Sequence, residues 1–139
     1  MIKALKQFDA RAIENLCQKG TPDVECILGW IELKWVEKWP ARSKTPLRID
    51  HYTKEQRIWA RTRVRRGGSC WLLLQVEEGD QWLLFCGRWA ALNIAGDGGP
   101  PRGACRAELE ATALGNWSGL DEGELRTCLL RLSHTRLSD

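Results

Sequence analysis

Two carboxylates and one lysine, Asp23, Glu32 and Lys34, are the residues whose types and spacing best suit chemistry on a phosphate ester. They lie in the segment DVECILGWIELK, whose aliphatic, β-branched and aromatic residues flank one glycine and predict a β-hairpin with a tight turn. A turn at residues 28–29 pairs Asp23 with Lys34 and Glu25 with Glu32. Opposed residues, and alternate residues along a strand, project from one face of a sheet. We therefore expect three carboxylates and one ammonium group to share one patch.

Such a patch suits a divalent cation, because carboxylates crowded on a half-buried sheet repel one another. Mg²⁺ and Mn²⁺ prefer oxygen ligands and bind one or two carboxylates together with waters and phosphate oxygens. A cation at this position turns a bound water into a nucleophile, and Lys34 orients that water or stabilises charge on the phosphate. Glu25 is expected to flank the site. The alternative is a cross-strand ion-pair patch on the surface; Pro22 and the flanking helices favour the chemical interpretation.

The spacing of apolar residues predicts helices and strands in alternation around the hairpin. A first helix over residues 9–18 precedes it, and a second helix opens with a capping box of Thr53 and Gln56. Residues 36–52 contain two prolines and no sustained period, so they predict a long basic insertion. The runs CWLLLQV and QWLLFC predict two further strands, the first of them buried on both faces. We expect an α/β fold with a mixed central sheet flanked by helices.

The C-terminal part begins with a predicted linker, GDGGPPRG, at residues 96–103. Two helices are predicted after it, over residues 104–114 and from residue 121 to about 133, the second opening with a capping box of Asp121 and Glu124. The predicted buried stripe of the second helix consists of Leu125, Cys128, Leu129 and Leu132. We expect residues 1–96 to form the core, and residues 97–139 to be a linker and helical extension of the same domain. The pattern leaves open whether these helices form a subunit interface or pack over the sheet.

Positive charge is concentrated between Lys34 and Arg66, a segment with eleven Lys or Arg residues against three acidic ones. Its net charge is therefore +8, and because the whole chain carries +3, the remainder carries −5. Such asymmetry is typical of a surface that meets a polyanion. The predicted DNA-contacting residues are Lys38, Arg42, Lys44, Arg48, Arg57, Arg61 and Arg65, with Trp39 for stacking. A solvated helix face is the alternative for the helical arginines. Backbone contacts carry no sequence information, so we expect recognition of DNA structure.

The six cysteines are far apart and form no C-x-x-C pair, so a zinc site is not expected. Their apolar surroundings are typical of a reducing compartment. The N-terminal segment lacks the apolar core of a signal peptide, and no apolar run approaches the ~20 residues that span a bilayer. We therefore expect a soluble, cytoplasmic protein that does not bind membranes.

Three segments together resemble the PD-(D/E)xK nuclease superfamily: GTPD at residues 20–23, WIELK at 30–34 and TKEQRIW at 53–59. Within it, the chain looks most like the virus-type replication-repair nucleases, with the archaeal-type Holliday junction resolvases as relatives. The resemblance covers residues 9–87 and implies a restriction-endonuclease-like core of helix, β-hairpin, helix and two strands, followed here by C-terminal helices. The chain departs from the family pattern in its short hairpin and its long basic insertion.

The resemblance also assigns roles to individual residues. It implies Asp23, Glu32 and the backbone carbonyl of Leu33 as ligands of Mg²⁺ or Mn²⁺, with Glu14 as a further acidic residue of the site. Lys34 and Gln56 are implied as catalytic residues. A solvated helical glutamate is the alternative for Glu14, and the capping box already explains Gln56.

These observations lead us to expect a metal-dependent endodeoxyribonuclease that cuts branched or otherwise structured DNA, acts as a homodimer and, if phage-encoded, works in the host cytoplasm. One alternative is a nucleic-acid-binding module that keeps the fold and does not cut. Another is an RNA-directed nuclease that uses His51 and Lys34 without metal. The loop histidine alone does not favour that second alternative.

Overall fold

A computed structural model describes residues 11–12, 24–26, 29–98 and 102–138, with side chains over 29–98 and 102–132. The strands are β1 (Arg11–Ala12), β2 (Val24–Cys26), β3 (Gly29–Val36), β4 (Arg48–Ile49), β5 (Cys70–Val76), β6 (Gln81–Cys86), β7 (Ala95–Gly96) and β8 (Gly115–Ser118). The helices are α1 (Lys54–Arg65), α2 (Gly87–Asn93), α3 (Arg106–Thr112) and α4 (Glu122–Ser138).

The main sheet has six strands in the order β1-β2-β3-β5-β6-β8. Strands β3 and β5 are parallel, and each of the other neighbouring pairs is antiparallel. Because a parallel pair needs a crossover connection, the chain passes from β3 to β5 through α1. A second, two-stranded parallel sheet joins β4 to β7. The expected α/β class with a mixed sheet is therefore confirmed.

One face of the main sheet packs against the end of the insertion and against α2 and α3. Leu72 and Phe85 from this face join Leu47, Ile49 and Tyr52 in one buried cluster. The three insertion residues are at most 3% exposed. The predicted insertion at residues 36–52 begins after Val36, the last residue of β3, but its residues 48–49 form β4 and its final part belongs to the core. Apolar residues at 47, 49 and 52 account for this difference, because their burial removes them from water.

The opposite face of the sheet packs against α4. Ile31 and Leu73 form a buried cluster with Leu125 and Leu129 of that helix. The predicted apolar stripe is confirmed, since Leu125 and Leu129 are fully buried, Cys128 is 5% exposed and Leu132 is packed against the same cluster. Of the two positions considered for this helix, the structure shows packing over the sheet.

Several local predictions are confirmed by hydrogen bonding. The N-cap Thr53 accepts a hydrogen bond from the Gln56 backbone N–H, and the Gln56 side chain accepts one from the Thr53 backbone N–H. At the start of α4, Asp121 accepts a hydrogen bond from the backbone N–H of Glu124 at 2.9 Å. The runs CWLLLQV and QWLLFC form β5 and β6 over their full predicted lengths.

Besides the two-residue strands β4 and β7, two elements, α2 and β8, were not predicted. Helix α2 has seven residues, follows β6 directly and has no side-chain cap, so the usual start signal is missing. Strand β8 reads GNWS, which lacks a strand pattern, and it forms because it pairs with β6 in a register that places Trp117 opposite Trp82. Both elements depend on tertiary contacts more than on local preference.

The predicted first helix over residues 9–18 is wrong at residues 11–12, which form β1 and pair with β2. The pairing supplies main-chain hydrogen-bond partners to a strand edge that would otherwise be open. The remaining positions of that predicted helix lie outside the described residues.

The hairpin register differs from the predicted one by two residues. Glu25 lies opposite Trp30 and Cys26 opposite Gly29, so the predicted Glu25–Glu32 pair is wrong. Gly29 is a strand residue at a close approach and not a turn residue, since a Cβ built on it would lie 2.7 Å from the Cβ of Ser69.

The packing of α4 can be tested with two neighbouring leucines. Leu129→Ala should lower the free energy of unfolding by about 2–5 kcal/mol, because it leaves a cavity between helix and sheet. Leu130→Ala, at a residue that is 39% exposed, should cost less than about 1 kcal/mol. Urea unfolding of both variants measures the difference. Equal losses would contradict the orientation of this helix.

Candidate active site

Glu32 and Lys34 lie two residues apart on β3, a strand with neighbours on both sides, and they project from the same face of the sheet. The Glu32 residue is 5% exposed. Its Oε1 lies 3.1 Å from the Nζ of Lys34, whose side chain is 11% exposed. The two residues therefore form a buried ion pair. The regular backbone of the strand is sufficient to bring their side chains together.

Lys34 also connects β3 to the segment that leads into α1. Its Nζ donates a hydrogen bond to the backbone carbonyl of His51 at 2.9 Å. His51 has a φ of 67°, in the left-handed region that non-glycine residues seldom adopt. This conformation costs about 1 kcal/mol or more, so the surrounding contacts must hold it. The described contact of His51 with the pair is through its carbonyl, while its side chain lies exposed on the surface.

Tyr52 and Cys70 lie in the apolar surroundings of Glu32. Burial raises the pKa of the Cys70 thiol to about 12, and the nearby negative charge of Glu32 adds to the shift. Burial, together with the charges of Cys70 and Glu32, also raises the pKa of Tyr52 far above its usual value. Both groups therefore stay neutral at ordinary pH. A charged carboxylate in such surroundings loses hydration and depends on its partner for compensation.

Arg57 is the other buried charged residue in the described part of the chain, at 4% exposure. Its guanidinium donates to the backbone carbonyls of Tyr52 at 3.0 Å and Asp97 at 2.7 Å, and it lies over the Tyr52 ring. Burial lowers its pKa from the usual value. Arg57 thus does not present its guanidinium to DNA as predicted. Inward-facing carbonyls bind it, whereas Arg61 and Arg65 are exposed.

The other predicted site residues have different outcomes. Gln56 forms the capping box with Thr53 described above, and its catalytic role stays a prediction. Leu33 lies between the charged pair on β3, and its side chain packs on the opposite face of the sheet. Asp23 and Glu14 lie outside the described residues.

The described residues offer few ligands for the predicted cation. No group of three His, Cys, Asp or Glu side chains suited to a metal ion occurs within the described ranges. Glu32 does supply the hard oxygen donor that Mg²⁺ and Mn²⁺ prefer, and one carboxylate with waters and substrate oxygens is within what Mg²⁺ accepts. The chemistry of this donor therefore fits either ion.

The predicted DNA-contacting residues of the insertion have distinct surroundings. Lys38, Arg42 and Lys44 are exposed. Arg48 is also exposed, but it forms ion pairs with Asp50 and Asp97, and their negative charges reduce the positive potential around its guanidinium. Exposed charge thus remains at Lys38, Arg42 and Lys44, and Lys38 lies two residues beyond the end of β3.

Trp39 is less available for stacking than predicted. It is half-buried, its indole N–H donates to Gln81 at 2.8 Å, and the guanidinium of Arg106 lies 5.1 Å above its ring. The more accessible ring belongs to Trp35, which is 64% exposed. The sequence could have identified Trp35, because alternation along β3 puts this residue on the face opposite Lys34, beyond the apolar residues that α4 covers.

The raised pKa of Cys70 predicts how stability depends on pH. The folded-state pKa of Cys70 lies near 12, whereas the usual value is 9.0. The stability that the buried neutral thiol contributes is therefore fully present below pH 9 and is lost as the pH rises toward 12. Cys70 should therefore lower the free energy of unfolding by up to about 1.4 kcal/mol per pH unit above pH 9. Urea unfolding between pH 8 and 10.5 should show a shallower decline for Cys70→Ala than for wild type.

The half-buried Cys105 provides the control. Cys105→Ala should retain the slope of wild type. Identical slopes for all three proteins would mean that Cys70 does not lie in the apolar surroundings described here.

Comparison of the chain with protein-family models, curated proteins and solved structures found no match. Among the described helices, none is long and apolar enough to cross a membrane. The resemblance to PD-(D/E)xK nucleases therefore stays a prediction from the residues of the three motif segments.

Proposed function

We propose that the protein is a metal-dependent endodeoxyribonuclease that hydrolyses phosphodiester bonds in branched or otherwise structured DNA. The observation that carries the proposal is the buried ion pair of Glu32 and Lys34, at 3.1 Å on one face of β3. These are the acidic residue and the lysine of the E-x-K segment. The two side chains project from one face of the strand, as a metal-ligating carboxylate and a neighbouring ammonium group would.

The burial of this pair argues against the simpler explanation of a surface ion-pair patch. Exposed ion pairs are common and contribute ~0–1 kcal/mol. Glu32 and the Lys34 side chain are instead only 5% and 11% exposed, and desolvation of two charges costs several kcal/mol per ion before they attract each other. Strongly desolvated charges of this kind are enriched at functional sites.

The order of elements gives further support. A β-hairpin with the E-x-K segment on its second strand is followed by a crossover helix and a parallel strand, β5. From the hairpin onward this is the order that the resemblance implies, whereas residues 11–12 form β1 in place of part of the implied first helix. We infer a restriction-endonuclease-like core from the order after the hairpin. The proposal also requires Asp23 to lie beside Glu32.

Each residue has a role that follows from its position. Asp23, Glu32 and the Leu33 carbonyl would hold Mg²⁺ or Mn²⁺, with Glu14 nearby, and the ion supplies an acidified water and neutralises phosphate charge when bound. Lys34 places a fixed positive charge 3.1 Å from Glu32, where it orients the attacking water or stabilises the charge that develops on the phosphate. The His51 carbonyl limits the rotamers open to Lys34.

The proposed partner is DNA, recognised by shape through its phosphates. Lys38, Arg42 and Lys44 supply exposed charge in the segment that follows β3. A homodimer suits a branched substrate, because two strands must be cut. The apolar stripe of α4 packs on the sheet and is not available for a subunit contact, so the dimer would use another surface. We place the protein in the cytoplasm.

The proposal predicts that cleavage depends on both members of the ion pair. Glu32→Gln and Lys34→Met should each lower the rate of four-way-junction cleavage in Mn²⁺ by about 100-fold or more. Glu37→Gln, a matched change at an exposed residue just after β3, should leave the rate within about twofold. Single-turnover assays on gels provide the measurement, and EDTA should abolish cleavage by wild type.

A double variant separates chemistry from folding. Lys34→Met alone leaves a buried carboxylate without its ammonium and should cost about 3–5 kcal/mol of stability. Adding Glu32→Gln should restore much of that stability without restoring cleavage. If the folded double variant cuts DNA at the rate of wild type, the pair is structural and the proposal fails.

Two alternatives remain. The pairing of Glu32 with Lys34 would also suit a module that binds DNA without cutting it, and such a module would show binding but no hydrolysis in Mn²⁺. An RNA-directed nuclease would use the side chain of His51, which is exposed beside the pair.

His51→Gly separates the DNA nuclease from the second alternative. Glycine adopts the left-handed conformation without strain, so this variant should be as stable as wild type or about 1 kcal/mol more stable, and it should cleave DNA normally. Loss of metal-independent RNA cleavage in the folded variant would support the RNA alternative instead. Thermal unfolding and cleavage of both nucleic acids provide the readouts.

A further inference from the structure

A groove runs between α1 and α2, on the outer surface of the protein. Arg61 and Arg65 of α1 and Arg88 of α2 line it, together with Ile58 and Leu92, and its volume is about 530 Å³. A second hollow shares Ile58, Arg61 and Leu92 with it and continues along α1 to Lys54. The two hollows together follow α1 over nearly its whole length.

The groove has strongly positive walls. Its three arginines are exposed, and no acidic side chain is among the described residues that line either hollow. Two other arginines of the described surface, Arg48 and Arg106, form ion pairs with acidic residues. Guanidinium groups bind phosphate through two parallel hydrogen bonds, which gives both charge and geometric fit.

The groove and the candidate active site lie on different flanks of α1. Trp59 meets Trp30 of β3 at a ring distance of 5.3 Å, so this flank of the helix faces the strand that carries Glu32. Ile58, Arg61 and Arg65 belong to the flank that meets α2. With 100° between successive residues, position 59 points in nearly the opposite direction from position 61. DNA at Glu32 and a ligand in the groove would therefore be two separate segments.

The dimensions suit a nucleic-acid backbone. Arg61 and Arg65 are one helical turn apart, about 6 Å along the axis, and Lys54 to Arg65 spans about 16 Å. That length corresponds to roughly five nucleotides of one strand at ~3.4 Å each. Ile58 and Leu92, at 48% and 43% exposure, provide an apolar floor between the cations. Apolar surface of this kind lowers the local dielectric and strengthens an arginine–phosphate contact.

We propose that the groove of Arg61, Arg65 and Arg88 binds the phosphate backbone of a second DNA arm, distinct from the segment that meets Glu32. The inference rests on the proposed function and deepens it, because two separate contact surfaces give a small protein a preference for branched over linear DNA. An arm that leaves the branch point lies in the groove while another arm is held at the ion pair. Recognition here is through charge and spacing and is independent of base sequence.

The test compares two double variants of the same helix. Arg61→Ala/Arg65→Ala changes the groove, whereas Arg63→Ala/Arg66→Ala removes the same charge at positions outside the groove. Fluorescence anisotropy in EDTA measures the Kd of each folded protein for a four-way junction and for a linear duplex between 50 and 200 mM salt, which avoids cleavage during the titration.

The groove variant should bind the junction about tenfold more weakly than wild type, with a salt slope smaller by about two. Its affinity for the linear duplex should fall less than about twofold. Arg88→Ala alone should reduce the salt slope of the affinity for the junction by about one. The control variant should weaken binding to both substrates equally and preserve the preference for the junction. Equal effects of the groove and control variants on the junction-to-duplex ratio would overturn the inference.

Two further outcomes separate this inference from its alternatives. If the wild-type protein neither binds nor cuts either substrate, the proposed nuclease function is contradicted as well. If the wild-type protein cuts normally but the groove variants have the same junction-to-duplex affinity ratio as the control variant, only the binding of a second arm is contradicted. Leu92→Ser should change junction affinity less than about twofold. If Leu92→Ser abolishes binding of a labelled peptide of alternating Glu and Leu while the groove variants leave junction binding intact, the groove is a protein-docking site and not a DNA site.

Discussion

The buried ion pair of Glu32 and Lys34 is the interaction on which the rest of this site depends. Two charges on a central strand are costly to desolvate, and each is tolerated because the other lies 3.1 Å away. Because the attraction weakens as the two charges separate, the pair favours one side-chain geometry. The apolar surroundings of the pair include Tyr52 and Cys70. They lower the local dielectric constant, which strengthens the attraction between the two charges and their interaction with any charged substrate atom.

The pair also begins a chain of polar contacts that joins separate elements. Lys34 on β3 donates a hydrogen bond to the backbone carbonyl of His51. Arg57 on α1 donates to the next carbonyl, which belongs to Tyr52, and to the carbonyl of Asp97. Two cations thus hold consecutive carbonyls of one short segment, which enters α1 directly afterward. This arrangement explains how His51 is kept at a positive φ. It also places the start of α1 at a fixed position relative to the catalytic candidates on β3.

Local signals were sufficient to predict much of the framework. Capping boxes located the starts of α1 and α4, alternation and apolar runs located β3, β5 and β6, and helical spacing identified the buried stripe of α4. These features depend on residues within about one helical turn or one strand of each other. The shared face of Glu32 and Lys34 was equally predictable, because it follows from their separation of two.

Contacts between distant residues determined what the sequence did not reveal. The hairpin register depends on the approach of Gly29 to Ser69, forty residues further along the chain. The helical spacing of Arg57, Arg61 and Arg65 suggested one exposed stripe, yet Arg57 is buried because carbonyls at positions 52 and 97 accept its hydrogen bonds. The groove partner Arg88 lies on α2, a short helix without a cap. No pattern within one segment contains this information.

The most direct measurement of the central claim is a crystal structure of the protein soaked in Mn²⁺, with anomalous scattering used to locate the ion. We expect an anomalous peak in coordination contact with a carboxylate oxygen of Glu32, beside Asp23 and the carbonyl of Leu33, with Lys34 still adjacent. The peak should be absent in crystals of Glu32→Gln. Wild-type crystals without a peak at Glu32, from protein that cleaves DNA in the same Mn²⁺ concentration, would contradict the account.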